Sequence, residues 1–172
     1  MPSGDDEEEV SPGDNEAEIL KKLDLKVKEV MSPNPLTIPA DATVVQAAKA
    51  MEKQDSSCAL IEAKGEIIGM ITERDITRRV VAKEASPDKT KVKSVMTSRI
   101  VVTSPDADIE EALRVMTTNK VRRLPVLDEK AGLVGLVHVA DIAKALAEKA
   151  GYSTSLITAM TKETLPPSGV YG

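Results

Sequence analysis

Residues 69–76 read GMITERDI, and residues 135–142 read GLVHVADI, 66 positions further on. A chain that writes one phrase twice, keeping the glycine, the aspartate and the closing isoleucine, is restricted to folds that can be built from two copies of one unit. The match runs well beyond the phrase. Val30-Met31 returns as Val95-Met96, and Leu36-Thr37-Ile38-Pro39 as Val102-Thr103-Ser104-Pro105. Thr43–Ala48 is answered by Asp108–Leu113, Met51 by Met116, and Ala59-Leu60-Ile61 by Leu124-Pro125-Val126. All offsets are 65 or 66, so the units differ by almost no insertion.

Each unit parses alike. A short extended segment (36–38; 101–103) ends near a proline. A helix follows, opened by the capping-box spacings Thr43-x-x-Gln46 and Asp108-x-x-Glu111. Its apolar face comprises Val44, Ala47, Ala48 and Met51 in one copy and Ile109, Ala112, Leu113 and Met116 in the other, the i, i+3, i+4, i+7 pattern. Two apolar runs of strand length come next: 58–61 and 67–71 around Lys64-Gly65, then 124–127 and 133–137. Their continuous apolarity predicts strands covered on both faces. A second helix closes each unit, at about 73–83 and 139–150. The predicted class is α/β (α+β), with two β-α-β-β-α repeats packed sheet to sheet about a pseudo-twofold axis and ligand clefts between them. One repeat buries too little surface to stand comfortably alone. The predicted boundaries are an acidic tail at 1–17, repeat one at 24–84, a linker at 85–91, repeat two at 92–147 and a C-terminal tail at 151–172.

The core of such a chain is aliphatic, since there is no Trp, no Phe and only two Tyr. That removes the aromatic platforms on which single-stranded nucleic acids stack. The lone Cys58 excludes an internal disulfide and a Cys-rich zinc site. No apolar run reaches the ~18 residues of a membrane span, and the acidic start is unlike a signal peptide. The expected compartment is the cytoplasm. Of the 28 acids, eight fall in residues 1–18, which hold no base. That stretch reads as a solvated, disordered tail, and the mildly basic remainder suits an anionic ligand.

Taken together, the Val-Met opening, the Thr-x-Pro and Thr-Ser-Pro strand ends, the Leu-Pro-Val strand and the Gly-x-x-Thr-x-x-Asp phrase resemble a tandem pair of CBS domains over about residues 24–147. The resemblance implies a regulatory module that binds AMP, ADP, ATP or S-adenosylmethionine and pairs into a flat homodimeric disc.

The residues can be weighed beside it. Thr72-x-x-Asp75 is a capping-box spacing. In the second copy the capping position is His138, which is not a favoured N-cap, so capping alone does not explain Asp141. The alternative is a bidentate grip on ribose hydroxyls, the role that the resemblance implies for Asp75 and Asp141. It likewise implies adenine contacts at Thr37, Ile38, Pro39, Thr103, Ser104 and Pro105, whose plain reading is a strand exit, with Ala59 and Leu124 on the adjacent strands. Gly69 and Gly135 either relieve crowding or admit close backbone approach of a ligand. Arg122 and Arg123 either complement a helix C-terminus or grip phosphate, with Thr72 and His138 as polar neighbours. Because these cations share a repeat with Asp141, the expected nucleotide site is the one around Asp141. An arginine reaching into its neighbour's cleft would reverse that assignment.

No catalytic motif is present: no Walker loop, no nucleophile elbow, no metal set around His138, the only histidine. No enzyme and no catalytic cofactor is expected, and an inosine monophosphate dehydrogenase barrel would not fit this length. An adenosyl ligand, an unidentified protein partner and a second copy of the chain are the expected partners. Ile76, Val80, Val81, Ile142, Ala143 and Leu146 are the candidate dimer contacts. Nucleic-acid binding through Arg74, Arg78, Arg79, Lys89, Lys91 and Lys93, or a purely structural interaction role, are the alternatives.

Overall fold

The computed structural model describes residues 24–149. The expected acidic and C-terminal tails lie outside the described residues. The elements are α1 Val27–Val30, β1 Ser32–Pro33, β2 Thr37–Pro39, α2 Val44–Lys53, β3 Cys58–Ala63, β4 Glu66–Thr72, α3 Glu73–Arg79, α4 Val92–Val95, α5 Ile109–Asn119, β5 Arg123–Asp128, β6 Gly132–His138 and α6 Val139–Lys149. They form two sheets of three strands. In one, β2 runs parallel to β3, which pairs with β4; in the other, β1 and β5 flank β6. The β3–β4 hairpin turns at Lys64-Gly65, both at positive φ (54° and 81°), as a tight two-residue hairpin requires.

The cores do not follow the chain halves. Val92, Val95 and Met96, which lead repeat two, pack with Val44, Ala47, Ile61 and Ile71 of repeat one. Leu25, Val27 and Met31, which lead repeat one, pack with Ile109, Leu124 and Val137 of repeat two. The exchange is reciprocal to the single hydrogen bond. Val27 N–H donates to Ala107 C=O and Lys28 N–H to Pro105 C=O; 65 residues on, Val92 N–H donates to Ala42 C=O and Lys93 N–H to Ala40 C=O. Exposed ion pairs repeat the pattern, Lys28–Asp106 at 2.7 Å and Lys93–Asp41 at 2.6 Å. Each half therefore completes the other's core, which is how two small units share enough buried surface.

This exchange explains the two glycines. A Cβ on Gly69 would stand 2.5 Å from Met96 Sδ and 2.9 Å from Thr97 O; on Gly135 it would stand 2.5 Å from Met31 Sδ and 3.1 Å from Ser32 O. Relief of crowding is the right reason, and the crowding atoms belong to the exchanged segments.

Local signals hold in part. Thr43 and Gln46 close the predicted capping box, at 3.2 and 2.8 Å. Asp108 caps nothing with its side chain, because Lys26 of the exchanged segment holds its carboxylate at 2.7 Å. The expected strand at 101–103 shrinks to a single bridge between Thr103 and Val126. In repeat one, Leu60 N–H donates to Leu36 C=O at 2.8 Å. The equivalent residue is Pro125, which has no N–H to give. The bridge also fixes the register at 65, since Ile38 pairs with Ile61 as Thr103 pairs with Val126. Ala48, expected on the buried face of α2, is exposed, while Val44, Ala47 and Met51 are buried as expected. The helix expected at 73–83 ends at Arg79 and gives way to a 3-10 turn, Val81–Lys83. Val80 and Ile142, two of the candidate dimer contacts, are fully buried in their own chain's cores and cannot serve another copy.

Candidate functional site

Two pseudo-equivalent clefts lie where the repeats meet. Cleft A, about 410 Å³, sets the start of α3 (Thr72, Glu73, Arg74) and Met70 against residues 120–123 of repeat two. Cleft B, about 420 Å³, sets the start of α6 (His138, Asp141) and Leu136 against residues 54–58 of repeat one, with residues 32–36 forming a further wall. Asp55–Cys58 and Lys120–Arg123 are counterparts 65 apart, Met70 and Leu136 are 66 apart, and so are Thr72 and His138. Each cleft is thus built by one repeat's helix start and the segment ahead of the other repeat's hairpin.

This construction corrects the expected grouping. Arg122 lines the cleft of Thr72, across from Asp141's. Arg123 lines both clefts, and its Nη2 donates to Ser57 Oγ at 2.7 Å. Cys58 is the repeat-one equivalent of Arg123, since it pairs with Thr72 as Arg123 pairs with His138, and Ser57 stands just ahead of it.

The aspartates differ in what remains free. Asp75 Oδ2 accepts from the Thr72 N–H at 3.0 Å and from the Thr72 hydroxyl at 2.7 Å, and Oδ1 pairs with Arg79 at 3.2 Å. Thr72 Oγ1 accepts from the Asp75 N–H at 3.2 Å, closing the capping box. Arg79 in turn donates to Val95 O at 2.7 Å and Thr97 Oγ1 at 3.2 Å, tying Asp75 to the exchanged segment. Asp141 Oδ2 accepts from the His138 N–H at 3.1 Å. Position 145, four residues on, is alanine, so no counterpart of Arg79 stands beside Asp141 and its carboxylate faces cleft B.

His138 does cap its helix, contrary to expectation. Its imidazole Nδ1 accepts from the Ala140 N–H at 3.0 Å, in the place of a hydroxyl or carboxylate. An accepting Nδ1 is unprotonated. Burial pushes the His138 pKa down, and the Arg123 guanidinium pushes it further, against an opposing pull from Asp141. Both effects favour the neutral ring that the cap requires. Burial likewise pushes the Cys58 thiol up, which keeps it protonated and unreactive.

The residues expected around adenine are scattered. Thr37, Ile38 and Pro39 line a separate groove with Asp41 and Glu62. Thr103 and Ser104 line another, beside Val102 and Glu111. Pro105 accepts the Lys28 N–H through its carbonyl. Ala59 and Leu124 are 1% and 0% exposed, so their side chains belong to the cores. Sequence reasoning passed over Arg74 as a cleft residue. It was hidden among the cations of α3 and the linker. Among the described residues, no helix is long and apolar enough to cross a membrane.

Comparison with known proteins bears on this arrangement. A family model for the CBS domain matches residues 27–82 and 92–148. Inosine-5′-monophosphate dehydrogenase of Methanocaldococcus jannaschii is 35% identical over 132 residues, covering 76% of this chain but only 24% of that enzyme. The chain also spans 53% of two other curated relatives it matches. A protein with CBS domains from Burkholderia ambifaria superposes at a TM-score of 0.65 with 30% identity, over 80% of this chain and 97% of the other. The CBS domain pair of protein MJ0100, solved in complex with 5′-methylthioadenosine and S-adenosyl-L-methionine, superposes at 0.65 with 25% identity, over 73% and 98%.

Proposed function

We propose, from the premise that the chain belongs to the CBS domain family, that it is a non-catalytic regulatory module whose inter-repeat clefts bind an adenosine-containing ligand. The observation that carries this reading is cleft B: a carboxylate at a helix start, Asp141, faces a cavity walled by both repeats. Asp141 grips the ribose hydroxyls. Pro35, Leu36 and Leu136 offer the base an apolar wall. The solved pair that holds two adenosyl compounds supports the ligand class.

Signalling follows from where the clefts lie. Residues of both repeats line each cleft, so a bound ligand favours one relative arrangement of the halves by the difference in its affinity for the two arrangements. The Arg123–Ser57 hydrogen bond crosses that boundary and is the contact most directly exposed to a ligand. A partner protein reads the result. A homodimer belongs to the same reading, with the exposed Val81 and Ala143 and the half-buried Ile76 and Leu146 as the remaining contacts. Light scattering at micromolar concentration tests it, and a monomer with and without ligand refutes it.

The direct test is a thermal-shift panel with adenosine, 5′-methylthioadenosine, AMP, ADP, ATP and S-adenosylmethionine. A ligand bound only by the folded chain raises the midpoint, by ~2.7 kcal/mol of stability at a hundredfold excess over Kd. No shift with any of the six at millimolar concentration refutes the reading.

A further inference from the structure

The clefts match in shape but not in charge. Four cationic side chains line cleft A, Arg74, Lys120, Arg122 and Arg123, against one acid, Glu73. Two acids line cleft B, Asp55 and Asp141, against one cation. That cation is Arg123, which cleft A also uses. His138, shared as well, is an acceptor through Nδ1 and adds no charge. Most of the imbalance comes from one four-residue segment that differs between the repeats. Asp55-Ser56-Ser57-Cys58 stands where the other copy has Lys120-Val121-Arg122-Arg123, and the reciprocal construction sends each segment into the opposite repeat's cleft.

Resting on the adenosyl-ligand reading above, we infer that the two clefts hold different classes of ligand: cleft A an adenosine phosphate, cleft B an adenosyl compound that is neutral or cationic and carries no phosphate. A phosphate dianion in cleft A meets three exposed cations and draws Arg123 from its hydrogen bond with Ser57. Guanidinium groups match phosphate oxygens in geometry and charge. Cleft B is then left with two carboxylates and no cation. That field repels a second phosphate and favours a sulfonium. Occupation of A by a nucleotide therefore strengthens binding of a cationic adenosyl ligand in B, and the coupling is reciprocal.

The experiment is calorimetry on the full chain with AMP, S-adenosylmethionine and adenosine as probes. The expected result is one AMP per chain at the stronger affinity, with S-adenosylmethionine still binding, and binding more tightly, once AMP is saturating. The double variant Arg74→Ala with Arg122→Ala removes two exposed cations of cleft A alone. It should weaken AMP by roughly tenfold or more, the scale of one charge-assisted contact, and leave S-adenosylmethionine within about twofold. Asp55→Asn, which keeps a residue tolerant of the left-handed backbone there (φ 49°), should weaken S-adenosylmethionine severalfold and leave AMP unchanged. Two AMP molecules bound with equal affinity overturn the inference, as does an AMP affinity indifferent to the double variant or competition between AMP and S-adenosylmethionine for one place. In each of those outcomes adenosine still binds and the adenosyl reading stands. Absence of binding by all three probes overturns both.

Discussion

Adding one methyl group at Gly69 tests the exchanged architecture at its tightest point. A Cβ there would lie 2.5 Å from Met96 Sδ and 2.9 Å from Thr97 O. The sulfur ends a flexible side chain and can move. The oxygen cannot, because Thr97 is locked to Met70 by two hydrogen bonds, Met70 N–H to Thr97 O at 3.0 Å and Thr97 N–H to Met70 O at 2.8 Å. Gly69→Ala must strain that bridge or push α4 off repeat one. Forced overpacking of this kind costs ~1–3 kcal/mol, and we place Gly69→Ala near the upper end. At Gly135 the backbone neighbour is Ser32 O at 3.1 Å, and the closest atom is again a methionine sulfur, Met31 Sδ at 2.5 Å. Gly135→Ala should therefore cost ~1 kcal/mol, and a double-mutant cycle with Met31→Ala should show favourable coupling of most of that amount. Met96→Ala should relieve Gly69→Ala only in part. Urea unfolding measures all of these, and each kcal/mol corresponds to ~2–4 °C in the thermal midpoint. Equal costs at the two glycines, a Gly69→Ala cost below ~0.5 kcal/mol, or full rescue by Met96→Ala would refute the argument.

Three further outcomes follow from the clefts. The His138 pKa is lower in the folded chain than its ordinary 6.5, so the unfolded state binds more protons as pH falls through that value. Stability should decline between about pH 7.5 and 5.5, and His138→Asn, which keeps a capping oxygen, should flatten that slope in urea melts taken across the range. Arg123→Ala removes the 2.7 Å hydrogen bond to Ser57 and should cost ~1 kcal/mol of stability; an equal loss in Ser57→Ala, without additivity in the double variant, is the calorimetric check. Asp141→Ala should lower adenosine affinity by roughly tenfold or more through loss of two hydroxyl contacts, whereas Asp75→Ala should lower midpoint temperature more than Asp141→Ala, because Asp75 also holds Arg79.

The repeat, the element order and the helix faces were legible in the chain because they depend on neighbours a few residues apart. Thr43 finds Gln46 within one turn, and Val44, Ala47 and Met51 share a face by helical period alone. Even the loss of a strand beside Pro125 follows from a local fact, the missing N–H. What the sequence could not show was which copy of each segment meets which. An alignment of the repeats places Val92 beside Ile109 and Arg122 beside Asp141, since each pair belongs to one copy. The folded chain does the opposite: Val92 enters the core of repeat one, and Arg122 enters the cleft of Thr72. Two similar units can complete each other or themselves with nearly the same local contacts, so periodicity and capping are blind to the choice. Burial decides it, and with it the fate of Asp108, whose capping oxygen goes to Lys26 of the exchanged segment, and the allotment of four cations to one cleft and two carboxylates to the other.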